Sequence, residues 1–219
     1  MQHRTIEAGC GRTLEMAEQG ARPHTDTNGS GANLEARIAR LEAESQIRQL
    51  VARYSFDIDD RRVDAVRSLF AKDAVLRSAD GVMNATGVDA IMRQFDGRFA
   101  VLGPGHHVMH DIQIDFESDT TARGRVSGHA ELWRGGRMMV AALRYADRYR
   151  QTDHGWKFAE RVISFLYYVP VEAYPGILGR TDRNHAYADP LPADFPEMLP
   201  DWIAYERSQI GRASCRERV

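Results

Sequence analysis

The sequence predicts an α+β domain, with helices first and an antiparallel sheet after them, and three observations lead there. Apolar residues recur at helical spacing from Leu34 to Tyr54. The period drops to two after Gly103-Pro-Gly105, and turn residues then divide the chain into successive strands. Helices gathered on one side of a curved sheet cover its apolar face, which is the α+β solution to burying both.

The elements follow in order. Residues 1–32 are polar and rich in Gly, Thr, Glu and Gln, so they read as a disordered leader, with Met16 a second candidate start. Asn33 is a good N-cap for a helix carrying Leu34, Ile38, Leu41, Ile47, Leu50, Val51 and Tyr54. The first turns of that helix are a candidate coiled-coil or dimer arm. A second helix is expected at Val63–Phe70 and short strands at Ala74–Arg77 and Val82–Ala85. A third helix starts at Thr86-Gly-Val-Asp89, which resembles a capping box. A four-strand meander then runs from about His107 to Tyr168. Met138, Met139, Trp156, Phe158, Phe165 and Tyr167 read as core or subunit-face packing. Residues 170–209 hold six of the eight prolines and show no regular period, so they are expected to wrap the domain (33–169) as an irregular arm or lid. Residues 210–219 resemble a translated sequencing adapter, which implies that the natural C-terminus is missing.

Composition excludes several classes. Lys and Arg number 29 against 31 Asp and Glu, so no basic face is available for nucleic acid or an anionic membrane. No apolar run is long enough to span a bilayer and no secretory signal is visible, so the expected location is cytoplasmic. The only cysteines, Cys10 and Cys215, lie outside the patterned body and form no disulfide framework. A phosphate cradle, a nucleophile elbow and a dinucleotide fingerprint are all missing, which points to chemistry without a cofactor.

Two stretches carry the chemistry. Tyr54-Ser-Phe-Asp57-Ile-Asp59-Asp60 closes the first helix, and Gly105-His106-His107-Val-Met-His110-Asp111 opens the sheet. A carboxylate and an imidazole meeting in an apolar pocket make a proton-transfer pair. Asp59 would hold the imidazole in one tautomer and stabilise its cation, and His107 would be the general base. Tyr54 would donate its hydroxyl to a leaving oxygen or developing oxyanion. Strand parity leaves two readings open: Ile112, Ile114 and Phe116 share parity with His110, so His107 faces inward only if a β-bulge lies between 107 and 112. His129 and Arg144 are further pocket candidates, and Asp57 and Asp60 read as surface charge. A His-x-x-His spacing on a strand splits the two imidazoles between faces, so no metal site is expected.

These residues, in this order, resemble the SnoaL-like families of the nuclear transport factor 2 superfamily over roughly Leu34 to Tyr168. The resemblance rests on Tyr54-x4-Asp59, Leu69-Phe70-Ala-x-Asp73-Ala, Gly87, His107 and Asp153-x-Gly-Trp156-Lys-Phe. It implies a cone-like curved sheet packed on three helices. The superfamily includes dehydratases, a dehydrochlorinase, isomerases and polyketide cyclases, as well as members without known catalysis, so the fold alone does not select the reaction. The dehydratases and the dehydrochlorinase pair an Asp at the first helix's end with a His at the sheet's start, positions that match Asp59 and His107. The resemblance therefore implies a lyase, most simply a dehydratase, acting on a small apolar cyclic substrate of steroid, terpenoid or polyketide type. It also implies a homodimer or homotrimer. Isomerisation or ring closure in the same pocket, and a non-catalytic ligand-binding dimer, are the alternatives. The chain departs from the pattern at Asp60-Arg-Arg-Val63, which lacks the usual Asp-Trp pair. It departs again on the following strand, where a further acidic residue of one dehydratase of the superfamily falls near Ala130, with His129 and Glu131 on either side.

Overall fold

The computed structural model describes residues 31–216, with side chains for residues 33–209. The expected leader lies almost wholly outside the described residues. The helix α1 (Gly31–Asp59) starts two residues before the expected cap. It is followed by α2 (Val63–Leu69), β1 (Phe70–Ser78), β2 (Asn84–Thr86), α3 (Val88–Val101) and then β3 (Leu102–Phe116), β4 (Thr121–Arg134), β5 (Arg137–Thr152) and β6 (Gly155–Pro170). The strands form one curved, mixed sheet in the order β2-β1-β6-β5-β4-β3. All pairings are antiparallel except β1 with β6, which run parallel.

In α1 the face that meets the sheet is Ile47, Leu50, Val51, Tyr54 and Ile58, all buried. Leu34, Ile38 and Leu41 stay exposed because, at 100° per residue, their stripe points away from that face. At α3 the expected capping box does not form. Gly87, at φ 84°, is the N-cap and no side chain caps the helix; Asp89 instead pairs with Arg67 at 2.6 Å. The positive φ explains why glycine stands there.

Along β4 and the middle of β5 buried and exposed residues alternate, and one register row holds an ion pair. Asp147 on β5 stands opposite Arg161 on β6, and both side chains are fully buried. Arg161 donates to both carboxylate oxygens at 2.9 and 2.7 Å, and the Tyr149 hydroxyl donates to one of them at 2.8 Å. The guanidinium carbon lies 4.0–4.1 Å from the ring centres of Tyr54, Tyr145 and Phe158. Burial, and then the Asp147 charge, push the Tyr149 hydroxyl well above the usual phenol range. On the neighbouring strand Gly124 leaves room for this ring: a Cβ there would sit 2.6 Å from Tyr149.

The arm after β6 is ordered. Buried Arg183 donates to the carbonyls of Arg180, Leu166 and Phe195 and to Glu197, and Asp194 accepts the Phe165 N–H at 2.6 Å. It ends in α4 (Pro200–Arg216), a helix the sequence reading missed. None of its described side chains is buried, so packing imposes no apolar stripe to read.

Because the Asp147–Arg161 pair lies in the core, removing one partner strands the other charge. Asp147→Asn is expected to lower unfolding free energy by about 3–5 kcal/mol, read from urea denaturation. A loss below about 1 kcal/mol would mean that water reaches the pair.

Candidate active site

The end of α1 is built to meet the start of β3. Arg61 closes the helix at φ 58°, a left-handed conformation that costs a non-glycine residue about 1 kcal/mol. Its guanidinium offsets the cost by donating to the carbonyls of Leu102 (2.6 Å) and Gly103 (2.9 Å) and by stacking on Phe99. That clamp carries Asp59, the last residue of α1, against the backbone of β3. Asp59 Oδ2 accepts the main-chain N–H of His107 at 2.7 Å, and Oδ1 lies 2.6 Å from His107 Nδ1. The two side chains are only 15% and 10% exposed. An ionised carboxylate can only accept, so Nδ1 carries the proton and Nε2 of the neutral ring keeps its lone pair. His106 is more peripheral, with Nδ1 3.8 Å from Asp59.

A bulge between Met109 and Ile112 settles the parity question. His107 and Met109 share the inner face with Ile112, Ile114 and Phe116 because the bulge absorbs one residue. His110 is therefore turned outward, and His129 and Arg144 are outward too, so none of the three lines the inner pocket. Along β4 and β5 the buried residues are their neighbours Gly128, Ala130, Leu143 and Tyr145. On the outer face His110 Nε2 lies 2.7 Å from His129 Nδ1. Partial burial, and then the His110 charge, lower the His129 pKa. Arg144 stacks on Phe195 of the arm.

Tyr54 is placed in the core rather than beside the dyad. It is 2% exposed, rings edge-on to Phe70, Phe95, Tyr145 and Phe158, and its hydroxyl makes no hydrogen bond among the described residues. Asp57 is not surface charge: it is buried and pairs with Arg62 at 3.1 Å across the helix end. Asp60 is exposed, as expected.

A cavity of about 170 Å³ opens on the same concave face, walled by Met83, Arg98, Leu102, Phe165 and Tyr168 and, from the arm, by Ala186 and Tyr187. Asp59 and His107 do not line it directly. Across the sheet, His107 is in register with Ala130, Ala141 and Tyr168, so two small side chains separate the imidazole from the cavity wall. Arg134 ties the arm to this rim by donating to the Ala186 carbonyl at 2.6 Å. Burial raises the Tyr187 hydroxyl to about 12; it donates to Asp80 at 3.2 Å.

Sequence reasoning missed Arg161 and Asp147 although both sit at inward parity among apolar residues. It also missed Arg98, seven residues after Ile91 on the apolar stripe of α3. Among the described residues, no three His, Cys, Asp or Glu side chains gather to hold a metal, and no helix is long and apolar enough to cross a membrane.

A SnoaL-like domain model matches residues 39–162. Among solved structures, a scytalone dehydratase-like protein of Novosphingobium aromaticivorans is similar, with TM-score 0.60 and 21% identity, over 74% of this chain and 99% of its own. The hexachlorocyclohexane dehydrochlorinase LinA-type3 of Novosphingobium barchaimii gives 0.57 at 19%, over 62% and 94%. An NTF2-like protein with a cystatin-like fold from N. aromaticivorans gives 0.53 at 28%, over 64% and 92%. No curated protein matches the sequence.

The Asp59 contact predicts the tautomer of His107. Nitrogen-15 spectra of histidine-labelled protein above pH 8 are expected to show His107 protonated on Nδ1, and Asp59→Ala is expected to release that preference. A His107 protonated on Nε2 in the unsubstituted protein would contradict the geometry.

Proposed function

The chain belongs to the SnoaL-like domain family, and on that premise we propose that it is a cofactor-independent lyase, most simply a dehydratase, working through Asp59 and His107. The observation that carries this reading is the double contact of Asp59 with the His107 backbone and Nδ1. It leaves Nε2 as the one basic nitrogen of an oriented imidazole, with a carboxylate behind it to stabilise the charge that proton uptake creates.

In the reaction, His107 Nε2 takes a proton from a carbon next to a carbonyl, and the electron pair of that C–H bond becomes the new carbon–carbon π bond. The C–O bond on the adjacent carbon breaks, the departing hydroxide recovers the proton from the imidazolium, and water leaves with the dyad restored. Tyr54 and Tyr145 stand deeper in the cone, with Tyr54 available to polarise the carbonyl only if the substrate reaches the aromatic cluster. The fold likeness to a dehydratase-like protein and a dehydrochlorinase supports an elimination over other proton transfers. In both of those named activities a base removes a proton while a group departs.

An engineered protein cavity of roughly 150 Å³ admits benzene, so about 170 Å³ seats one ring. Ala130 and Ala141 stand between that cavity and His107. A substrate anchored there therefore reaches Nε2 only by extending over those two small side chains, which suits a molecule longer than one ring, of steroid, terpenoid or polyketide type.

On an identified substrate, His107→Ala and Asp59→Asn are expected to lower kcat by roughly 10²–10⁴-fold, with both proteins still folded. Product mass spectrometry should show loss of one water. Full turnover in both variants would remove the dyad from the mechanism. A product of unchanged mass would replace elimination by isomerisation in the same site.

A further inference from the structure

We propose that the cavity recognises a carboxylate borne by its ring-shaped ligand, and that Arg98 is the residue that reads it. The inference rests on the reading of this cavity as the substrate site and adds the chemical class of what enters.

The lining holds two guanidiniums, Arg98 and Arg134, and no Asp or Glu. Arg134 is already committed, to the Ala186 carbonyl at 2.6 Å and to the face of Tyr168. Arg98 is not. It is half-buried, lies 5.8 Å from the Phe95 ring centre and acts at a distance on the Tyr145 hydroxyl, and among the described residues it has neither an ion pair nor a side-chain hydrogen bond.

The other sheltered arginines of the fold behave differently. Arg61 donates to two carbonyls, Arg161 is paired with Asp147, and Arg183 donates to three carbonyls and Glu197. Acids of the neighbourhood are also engaged, Asp194 by the Phe165 N–H among them. Asp147 is held by Arg161 and Tyr149. Asp80, under Tyr187, takes hydrogen bonds from Val82, Tyr187 and Ser78.

An apolar wall carrying one uncommitted guanidinium is costly when empty of counter-charge, because a partly desolvated cation gains from any anion brought to it. The planar fork of five donors fits a carboxylate by two parallel hydrogen bonds. It also fixes which way round a planar ring enters. Arg98 acts here on specificity, away from the reacting atoms.

The test uses benzoate and its neutral isostere benzamide, titrated into the full-length protein and followed by NMR shifts of the cavity methyl groups, Met83 and Leu102. Benzoate is expected to bind about tenfold more tightly than benzamide, the scale of one charge-assisted pair. Arg98→Met should bring the two affinities together by weakening benzoate alone, and Arg98→Lys should restore part of the preference. Unaltered benzamide binding in both variants shows that the cavity has kept its shape.

Equal affinities in the unsubstituted protein, a preference that survives Arg98→Met, or failure of both compounds to bind at the cavity would overturn the proposal. His107→Ala separates this inference from the reaction. If that variant keeps both its turnover and the benzoate preference, the lyase mechanism fails and the recognition stands.

Discussion

The junction between the end of α1 and the start of β3 is the constraint on which the site depends. A helix has no intrinsic reason to end against one particular residue of an edge strand. Here four hydrogen bonds make it do so: two from Arg61 to the carbonyls of Leu102 and Gly103, and two from His107 to Asp59. The pairs reinforce each other. Arg61 takes carbonyls that an edge strand would otherwise leave to solvent, and Asp59 takes an N–H from the same strand. Position and chemistry are therefore set by the same few residues.

The second structural commitment is electrostatic. Folding buries Arg161 and Asp147 completely, which is rarely the most stable arrangement for that volume. Three aromatic faces and the Tyr149 hydroxyl compensate, yet one terminal nitrogen of Arg161 still lacks a partner among the described residues. The aromatic cluster thus belongs to the ion pair as much as to the hydrophobic core, and Tyr54 is part of its enclosure. This accounts for a tyrosine near the end of α1 whose ring serves packing first.

Much of this was legible in the chain. The helical period of α1, the two-residue period of β3–β6 and the turns at Gly135-Gly136 and Asp153–Gly155 have local causes, so local pattern reveals them. The meeting of Asp59 and His107 came from a family likeness, since 48 positions separate them and no local rule links them. Parity alone argued for His110, and it misled because a bulge is a backbone event that costs the sequence nothing visible. His129 and Arg144 failed as pocket residues for a related reason: parity on a strand says which residues share a face, not which face is inside. The parallel pairing of β1 with β6 was hidden because it depends on contacts between distant segments. The same limit hid the use of the arm as cavity wall, where Ala186 and Tyr187 are placed by Arg134 and Asp80.

The bulge at Met109/Ile112 has a further consequence for a fifteen-residue strand at the margin of the sheet. A long, flat margin offers its free main-chain groups to any passing strand and invites association of sheets end to end. An extra residue there twists the strand and interrupts its ladder. Pro104, charged Asp111 and Asp115, and the helix end docked at one extremity act in the same direction. The irregularity that turns an imidazole inward thus also makes this margin a poor template for an added strand.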